Sequence, residues 1–167
     1  MELLISGIRD EIFPERAAKE LYLCAANTIG ELSEKIKTTS RSFGLFLAFN
    51  AETLKDDEIL QSAGNLVETG LAYLCAWGPD CERVHDLFDI AAGPKNDKLG
   101  GDDVIMTSWH ARDTLVEALW FFVHAAFPTQ CFEMSCTDWI IAPIGNPEWE
   151  KEIRDKIGEV AFEPPSE

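Results

Sequence analysis

The sequence predicts a three-layer α/β/α sandwich with a mostly parallel sheet of four to five strands and an N-terminal helix. Short apolar runs are typical of strands covered on both faces, and each run after residue 42 is followed by a segment with helical periodicity. Strands that alternate with helices of this length form parallel sheets with right-handed crossovers. The 167 residues fit a single domain of the Rossmann or flavodoxin-like type.

Residues 1–42 predict an N-terminal helical segment that Pro14 opens. The apolar positions follow the 3.6-residue period of a helix. These positions are Ala18, Leu21, Ala25, Ile29, Leu32 and Ile36. Gly30 is the point at which this helix could divide in two. A strand over residues 3–8 is the weaker alternative for the beginning of the chain.

The repeating strand–helix core is predicted over residues 43–160. The expected strands are 43–49, 71–77, 104–108 and 137–142, and the expected helices are 53–68, 80–92, 111–127 and 147–160. Gly70, Gly93-Pro94 and Pro128 mark the ends of the first three helices, because glycine caps a helix and proline cannot continue one. Residues 161–167, which include Pro164-Pro165, predict a frayed tail.

No common nucleotide-binding or hydrolase motif follows any of these strands. The chain contains neither G-x-G-x-x-G nor G-x-x-x-x-G-K-[ST], the glycine-rich loops that hold dinucleotides and nucleoside triphosphates. It also lacks G-x-S-x-G, the nucleophile turn of α/β-hydrolases. We therefore predict no cofactor.

The chain is strongly acidic, with 30 acidic and 14 basic side chains and a formal net charge of −16. Nucleic acid and anionic membranes bind proteins through Lys and Arg, so we expect neither as a partner. A basic protein partner would be attracted and would associate faster. In the alternative explanation, the negative charge only keeps the protein soluble. No apolar run approaches the roughly 18 residues that span a bilayer, and the N-terminus lacks the features of a secretory signal. We expect a cytoplasmic protein, and the oligomeric state is left open.

The five cysteines predict reduced thiols. They are Cys24, Cys75, Cys81, Cys131 and Cys136. An odd number without a C-x-x-C pair argues against a disulfide framework. Cys24 and Cys75 lie in apolar stretches and are expected in the core. Only Cys81 occupies an activating position, in the first turn of a predicted helix.

Polar and aromatic side chains follow each predicted strand of the core. The carboxyl ends of parallel strands share one edge of a sheet, and ligands bind at that edge in open α/β folds. We therefore predict one cleft formed by residues that are distant in the sequence. Its members are Asn50 and Glu52 after the first strand, Trp77, Asp80 and Cys81 after the second, Ser108, Trp109 and His110 after the third, and Asn146 after the last.

Cys81, His110 and Asp80 form the candidate catalytic group of this cleft. A helix dipole lowers the pKa of a thiol in its first turn, His110 could act as the general base, and Asp80 could orient the imidazole. The carboxylates of Asp80 and Glu82 oppose this role, because their negative charge raises the pKa of a neighbouring thiol. In the alternative interpretation Cys81 packs as a small hydrophobe and Asp80 only caps the helix.

Two further interpretations concern the same cleft. Cys81 and His85 share a helix face and His110 could add a third metal ligand, but a closed zinc site needs four closely spaced ligands, so we predict no metal. Trp77 and Trp109 could stack on a planar ligand or could close the top of the core. The predicted binding residues are Asn50, Glu52, Trp77, Ser108, Trp109 and Asn146.

The segment 77–86, WGPDCERVHD, resembles a sequence in an uncharacterised family of small bacterial proteins. The resemblance covers residues 71–145 and implies a bacterial origin. It carries no known activity, so no functional residue follows from it.

Two functional hypotheses follow from the sequence. The first is an acidic protein-binding module of the inhibitor or immunity type, which docks carboxylates onto a basic partner after electrostatic steering. Its candidate surfaces are residues 147–160 and the lysine-free span 113–150. The second is a small Cys/His-dependent enzyme, a hydrolase or transferase, with its site in the strand-end cleft. The accessibility of Cys81 distinguishes the two.

Overall fold

The computed structural model describes residues 1–10 and 13–162, which form six strands and five α-helices. The strands are β1 (Glu2–Ile8), β2 (Lys19–Leu23), β3 (Ser42–Ala48), β4 (Leu71–Trp77), β5 (Met106–Trp109) and β6 (Cys136–Pro143). The helices are α1 (Leu32–Lys35), α2 (Asp56–Thr69), α3 (Cys81–Leu99), α4 (Leu115–His124) and α5 (Pro147–Phe162).

The six strands form one sheet in the order β1-β2-β6-β3-β4-β5. β1 is antiparallel to β2, and all other neighbouring strands run parallel. The mostly parallel sheet is therefore confirmed, but it has six strands rather than four to five. Its order differs from the Rossmann order 3-2-1-4-5-6 and the flavodoxin order 2-1-3-4-5, because the last strand of the chain lies between β2 and β3.

Helices cover both faces of the sheet and create two cores. α1, α2 and α3 pack on one face, against residues that include Phe43 and Leu45 of β3. α4 and α5 pack on the other face, against Phe46 of β3 and Trp139 of β6. Alternate residues of a strand point to opposite faces, so β3, which is buried along its whole length, contributes to both cores. The three-layer arrangement agrees with the predicted fold class.

The predicted N-terminal helix is wrong, because the described residues of the range 1–42 form β1, β2, part of β3, a short 3-10 helix (Ile29–Glu31) and the four-residue α1. In β2, Lys19, Leu21 and Leu23 are buried and the residues between them are partly exposed. Leu21 belongs equally to this two-residue alternation and to the helical series, so its spacing does not separate strand from helix. α1 retains only four residues of the expected helix. The weaker alternative, a strand over residues 3–8, is confirmed as β1.

All four core helices differ from their predicted bounds, and α3 and α4 differ most. α3 continues past the expected stop at residues 93–94 and ends before Gly100, which has a positive φ of 74°. Pro94 is exposed, so water can replace the hydrogen bond that proline cannot donate. α4 begins at residue 115 rather than 111, because Thr114 and Glu117 form a capping box at its start.

The last part of the chain extends α5 beyond its predicted end. The predicted tail covers residues 161–167, of which Ala161 and Phe162 belong to α5, whereas residues 163–167 lie outside the described residues. In residues 1–10 and 13–162, no helix combines the length and the apolar character needed to cross a membrane.

Candidate functional site

The carboxyl ends of β3, β4, β5 and β6 meet at one edge of the sheet, which we call the strand-end rim. Backbone hydrogen bonds join the segments that follow these strands. Phe49 N–H donates to the Trp77 carbonyl (2.9 Å), and His110 N–H donates to the Ala76 carbonyl (3.0 Å). The parallel arrangement thus places the predicted site residues, which are distant in sequence, at or next to one end of the molecule.

The rim residues are divided between the two faces of the sheet. Cys81 packs into the core beneath α2 and α3, and the Trp109 ring lies 4.5 Å from that of His85 on α3. The His110 ring lies instead 4.6 Å from the ring of Phe121 on α4. Neighbouring residues of an extended segment point to opposite faces. The structure therefore separates the Cys81 thiol from the imidazole that was predicted to act as its base.

Cys81 is the first residue of α3 and is only 1% exposed. Burial raises the pKa of its thiol, and hydrogen bonds from backbone N–H groups, with that of His110 foremost, offset only part of this rise. Asp80 has a positive φ of 64°, and its carboxylate accepts a hydrogen bond from Arg83 Nε (2.6 Å). The geometry thus favours the interpretation of Cys81 as a packed thiol over that of a nucleophile.

His110 takes part in a different hydrogen-bonded chain. Its Nδ1 lies 2.6 Å from Asp113 Oδ2, and its Nε2 lies 3.4 Å from Ser108 Oγ. The His110 side chain is 8% exposed. When Nδ1–H donates to the carboxylate, Nε2 is left as an acceptor that faces the serine hydroxyl. Ser108, His110 and Asp113 therefore have the connectivity of a serine–base–acid relay, with a long serine contact.

The two rim asparagines shape the loops in which they lie. Asn50 Oδ1 accepts a hydrogen bond from Glu52 N–H (3.1 Å). Asn146 Oδ1 accepts from the N–H groups of Glu148 and Trp149 (3.1 and 3.2 Å) and so caps α5. These contacts with the local backbone account for the asparagines at both positions, so their presence does not require a ligand.

Trp77 is engaged within the protein on two sides. Its indole N–H donates to the Asp113 carbonyl (2.9 Å), and its ring meets Trp149 of α5 edge to face with centroids 5.1 Å apart. These contacts favour the interpretation of Trp77 as a residue that closes the top of the core.

Trp109, in contrast, is 46% exposed. Beside it, the two ring nitrogens of His85 face the carboxylates of Asp86 (3.0 Å) and Asp89 (3.6 Å). Glu82, Asp86 and Asp89 lie along one exposed stripe of α3, because residues four and seven apart share a helix face. This group combines an exposed aromatic ring with a run of carboxylates. We call it the α3–β5 surface, and it consists of Glu82, His85, Asp86, Asp89, Ile90 and Trp109.

A cavity of about 610 Å³, which we call the Lys19 cavity, lies at the amino ends of β2 and β6, opposite the rim. Lys19 is 5% exposed. Its Nζ donates to three carbonyls at the end of α4, those of Phe122, Val123 and Ala126 (3.1, 2.8 and 2.7 Å). Burial lowers the pKa of Lys19 to about 7. The sequence pattern does not reveal this residue, because the helical periodicity of the first 42 residues predicts a helix rather than a strand at position 19.

The described residues do not assemble the metal ligands that the sequence suggested as an alternative. In the ranges 1–10 and 13–162, no three His, Cys, Asp or Glu side chains form a group that could hold a metal ion. Cys81, His85 and His110 therefore do not make up such a site.

Comparison with known proteins places the chain in a family. A family model matches residues 21–159, from β2 into α5. The chain belongs to the DUF7684 family. This family is described as a domain of unknown function, so membership in an uncharacterised family is confirmed and supplies no activity. No curated protein and no solved structure matches the chain.

Proposed function

We propose that this DUF7684 protein is a protein-binding module of the inhibitor or immunity type that acts in the bacterial cytoplasm. Its α3–β5 surface docks a basic protein partner. The observation that supports this function is the exposed Trp109 ring beside a stripe of carboxylates on α3. Aromatic residues at the centre of an interface supply much of its binding energy, and the charges around them steer the encounter.

The α3–β5 surface keeps an excess of negative charge. Between residues 82 and 90 the only lysine or arginine is Arg83, and its guanidinium is turned to Asp56 and Asp80 (2.6 Å each). The exposed face of α5, the other candidate surface, alternates acids with bases. Its ion pairs are Lys151–Asp155, Arg154–Glu150 and Lys156–Glu159. A basic partner is therefore attracted more strongly to α3 than to α5.

Binding to a panel of purified basic globular proteins tests this surface. The perturbing variants are Trp109→Ala and the double variant Asp86→Asn/Asp89→Asn. The matched control is Asp155→Asn/Glu159→Gln, which removes the same formal charge from α5. We expect at least one panel member to associate at a rate that falls as salt rises. Its Kd should rise about tenfold, or about 1.4 kcal/mol, in the α3–β5 variants and less than about twofold in the control.

Two results would count against the docking surface. One is association that is insensitive to salt for every panel member. The other is a Kd that changes equally in the two double variants. All five substituted residues are exposed, so their replacement leaves the cores intact, and thermal unfolding of each variant verifies this.

A second candidate function is a small hydrolase or transferase with its site at the strand-end rim. The short contact between His110 and Asp113 favours it, because such a carboxylate orients an imidazole as a general base. The neighbour of this imidazole is Ser108, whereas Cys81, the nucleophile that the sequence predicts, is buried on the other side of the sheet.

A fluorophosphonate probe tests the enzymatic alternative. An activated serine oxygen displaces fluoride from the phosphorus atom and remains covalently labelled. Labelling of Ser108 that disappears in His110→Gln and Asp113→Asn supports this function. No labelling of Ser108, together with slow alkylation of Cys81 by iodoacetamide, eliminates both the serine and the cysteine form.

A further inference from the structure

The Lys19 cavity is a second site that the proposed docking function does not use. It is bounded by Arg9, Asp10, Arg16 and Ala17, which lie between β1 and β2, by α4 and by the last turn of α5. Its volume lies within the range of about 300–1,000 Å³ that is typical of small-molecule sites. Aromatic side chains form much of its wall, and these are Trp120, Phe127, Trp139 and Phe162.

Basic side chains are concentrated in the wall of this cavity. Arg9, Arg16 and Lys19 line it, together with the two carboxylates Asp10 and Glu133. The whole chain, in contrast, has 30 acidic and 14 basic side chains. Arg16 Nη1 lies 3.1 Å from Asp10, and Arg16 Nε lies 3.8 Å from Glu133. Because arginine has five N–H donors, these two contacts use only part of its capacity.

The positively charged side chains of the cavity wall already make cation–π contacts with several aromatic rings. The Arg16 guanidinium lies over two phenylalanine rings (4.2 and 4.1 Å), and the Lys19 ammonium group lies over the Trp139 ring (3.8 Å). An amine that entered the cavity would meet these charges at close range, whereas an anion would be attracted to them. The charge of the wall therefore selects for a ligand with a negative group.

We propose that the Lys19 cavity binds a small organic acid, whose carboxylate pairs with Arg16 and whose planar apolar body lies against the aromatic wall. A guanidinium matches the geometry of a carboxylate and can bind it with two parallel hydrogen bonds. Lys19 contributes charge below about pH 7 but no hydrogen bond, because its three N–H groups all donate to the end of α4. Trp120 also lines the cavity, and within the described residues its buried indole nitrogen has no acceptor.

Isothermal titration with 2-naphthoate tests this proposal. The neutral 2-naphthamide and the cationic 2-naphthylmethylamine have the same ring system and serve as matched ligands. We expect 2-naphthoate to bind one to one and at least tenfold more tightly than the amide, and we expect no saturable binding of the amine. Intrinsic fluorescence gives a second readout, because Trp120 and Trp139 line the cavity.

Three variants locate the binding event. Arg16→Gln should lower the affinity for 2-naphthoate at least tenfold and change the affinity for the amide less than twofold. Arg154→Gln is the matched control, because Arg154 also pairs with two carboxylates, Glu2 and Glu150, but does not line the cavity. Ala17→Phe fills part of the cavity without a change of charge and should abolish binding of both ligands.

Several outcomes would overturn the proposal. They are equal affinity for the three ligands, an equal effect of the two arginine variants, and 2-naphthoate binding that persists unchanged in Ala17→Phe. Binding that appears only in a variant ending at Phe162 would assign the cavity to residues 163–167 instead. If Arg16→Gln does not fold, the comparison of ligands and the Ala17→Phe variant still decide the question.

Discussion

Replacement of Lys19 by methionine measures how strongly one buried ammonium group stabilises the contact between α4 and the sheet. Methionine keeps an unbranched apolar stem but removes the three hydrogen bonds from Nζ to the carbonyls of Phe122, Val123 and Ala126. The last carbonyls of a helix have no partner within the helix. In the variant these oxygens are therefore buried without a donor.

The size of the effect follows from the number of carbonyls left without a donor. At pH 9.5 folded Lys19 is a neutral amine with two N–H donors, and no charge is buried. A buried unpaired carbonyl costs about 1 kcal/mol at the lower end of the usual range, so the loss of two donors predicts a loss of about 2 kcal/mol at this pH. The melting temperature should fall by roughly 4–8 °C. Urea unfolding followed by tryptophan fluorescence measures the free energy of unfolding directly. Lys95→Met is the matched control, because Lys95 donates to one helix-terminal carbonyl, that of Val67 (2.8 Å), and should cost no more than about 1 kcal/mol.

The stability of the Lys19→Met variant should depend on pH differently from that of the wild-type protein. Burial lowers the pKa of Lys19 from 10.5 to about 7. Between these values the unfolded chain holds a proton that the folded protein has released, so stability rises with pH by up to about 1.4 kcal/mol per pH unit. Below pH 7 the wild-type protein carries the full cost of the buried charge, so the loss caused by Lys19→Met is smaller there than at pH 9.5, and the variant lacks the rise altogether. A loss of less than about 1 kcal/mol, or stability curves of the two proteins that stay parallel between pH 7 and 10, would refute the reasoning.

Three further predictions concern packing, capping and thiol access. Gly44→Ala places a Cβ 2.5 Å from the buried indole ring of Trp139 and should cost about 2–3 kcal/mol in urea unfolding. Gly64→Ala is the control, because its Cβ meets open space and should stabilise α2 by about 0.5–1 kcal/mol. Equal effects of the two substitutions would contradict this packing. Thr114→Ala should cost about 1 kcal/mol at pH 7. Hydrogen bonds from Thr114 lower the pKa of Glu117, so this difference in thermal stability should shrink as the pH falls below 4.5, and a constant difference would argue against the cap. Ellman's reagent should modify Cys131 rapidly and the four buried thiols slowly in the folded protein, and Cys131→Ser should remove the rapid phase.

The strands and helices of the core could be predicted because each is determined by residues that are close together in the sequence. β3 and β4 are continuous apolar runs, and their bounds lie within one residue of the predicted ones. The first 42 residues carry a weaker signal, since β1 is mostly exposed or half-buried and β2 has only five residues. Leu21 satisfies both the helical and the strand period there, and the buried charge of Lys19 contradicts the usual expectation that lysine is exposed.

The candidate site shows a second limit of sequence interpretation. The order of strands and helices places Cys81 and His110 at the same end of the sheet, but it does not determine the face to which each side chain points. That face changes with every residue, so an error of one residue in the placement of a strand end reverses it. The two-residue spacing of Ser108 and His110 does predict a shared face, and this pair lies together in the structure.

The position of β6 determines when the fold can be completed. Within the sheet the β1–β2 hairpin is connected to the other strands only through β6, which is formed by Cys136–Pro143. During synthesis β1 to β5 leave the ribosome before this segment, because it is the last strand of the sheet along the described chain. Until then the hairpin and β3 each present an open strand edge, and such edges attract other chains. Pairing of strands that are far apart in sequence is also slow. The nascent chain therefore completes its sheet only after β6 has emerged, and the hairpin and β3 are vulnerable to pairing with other chains until then.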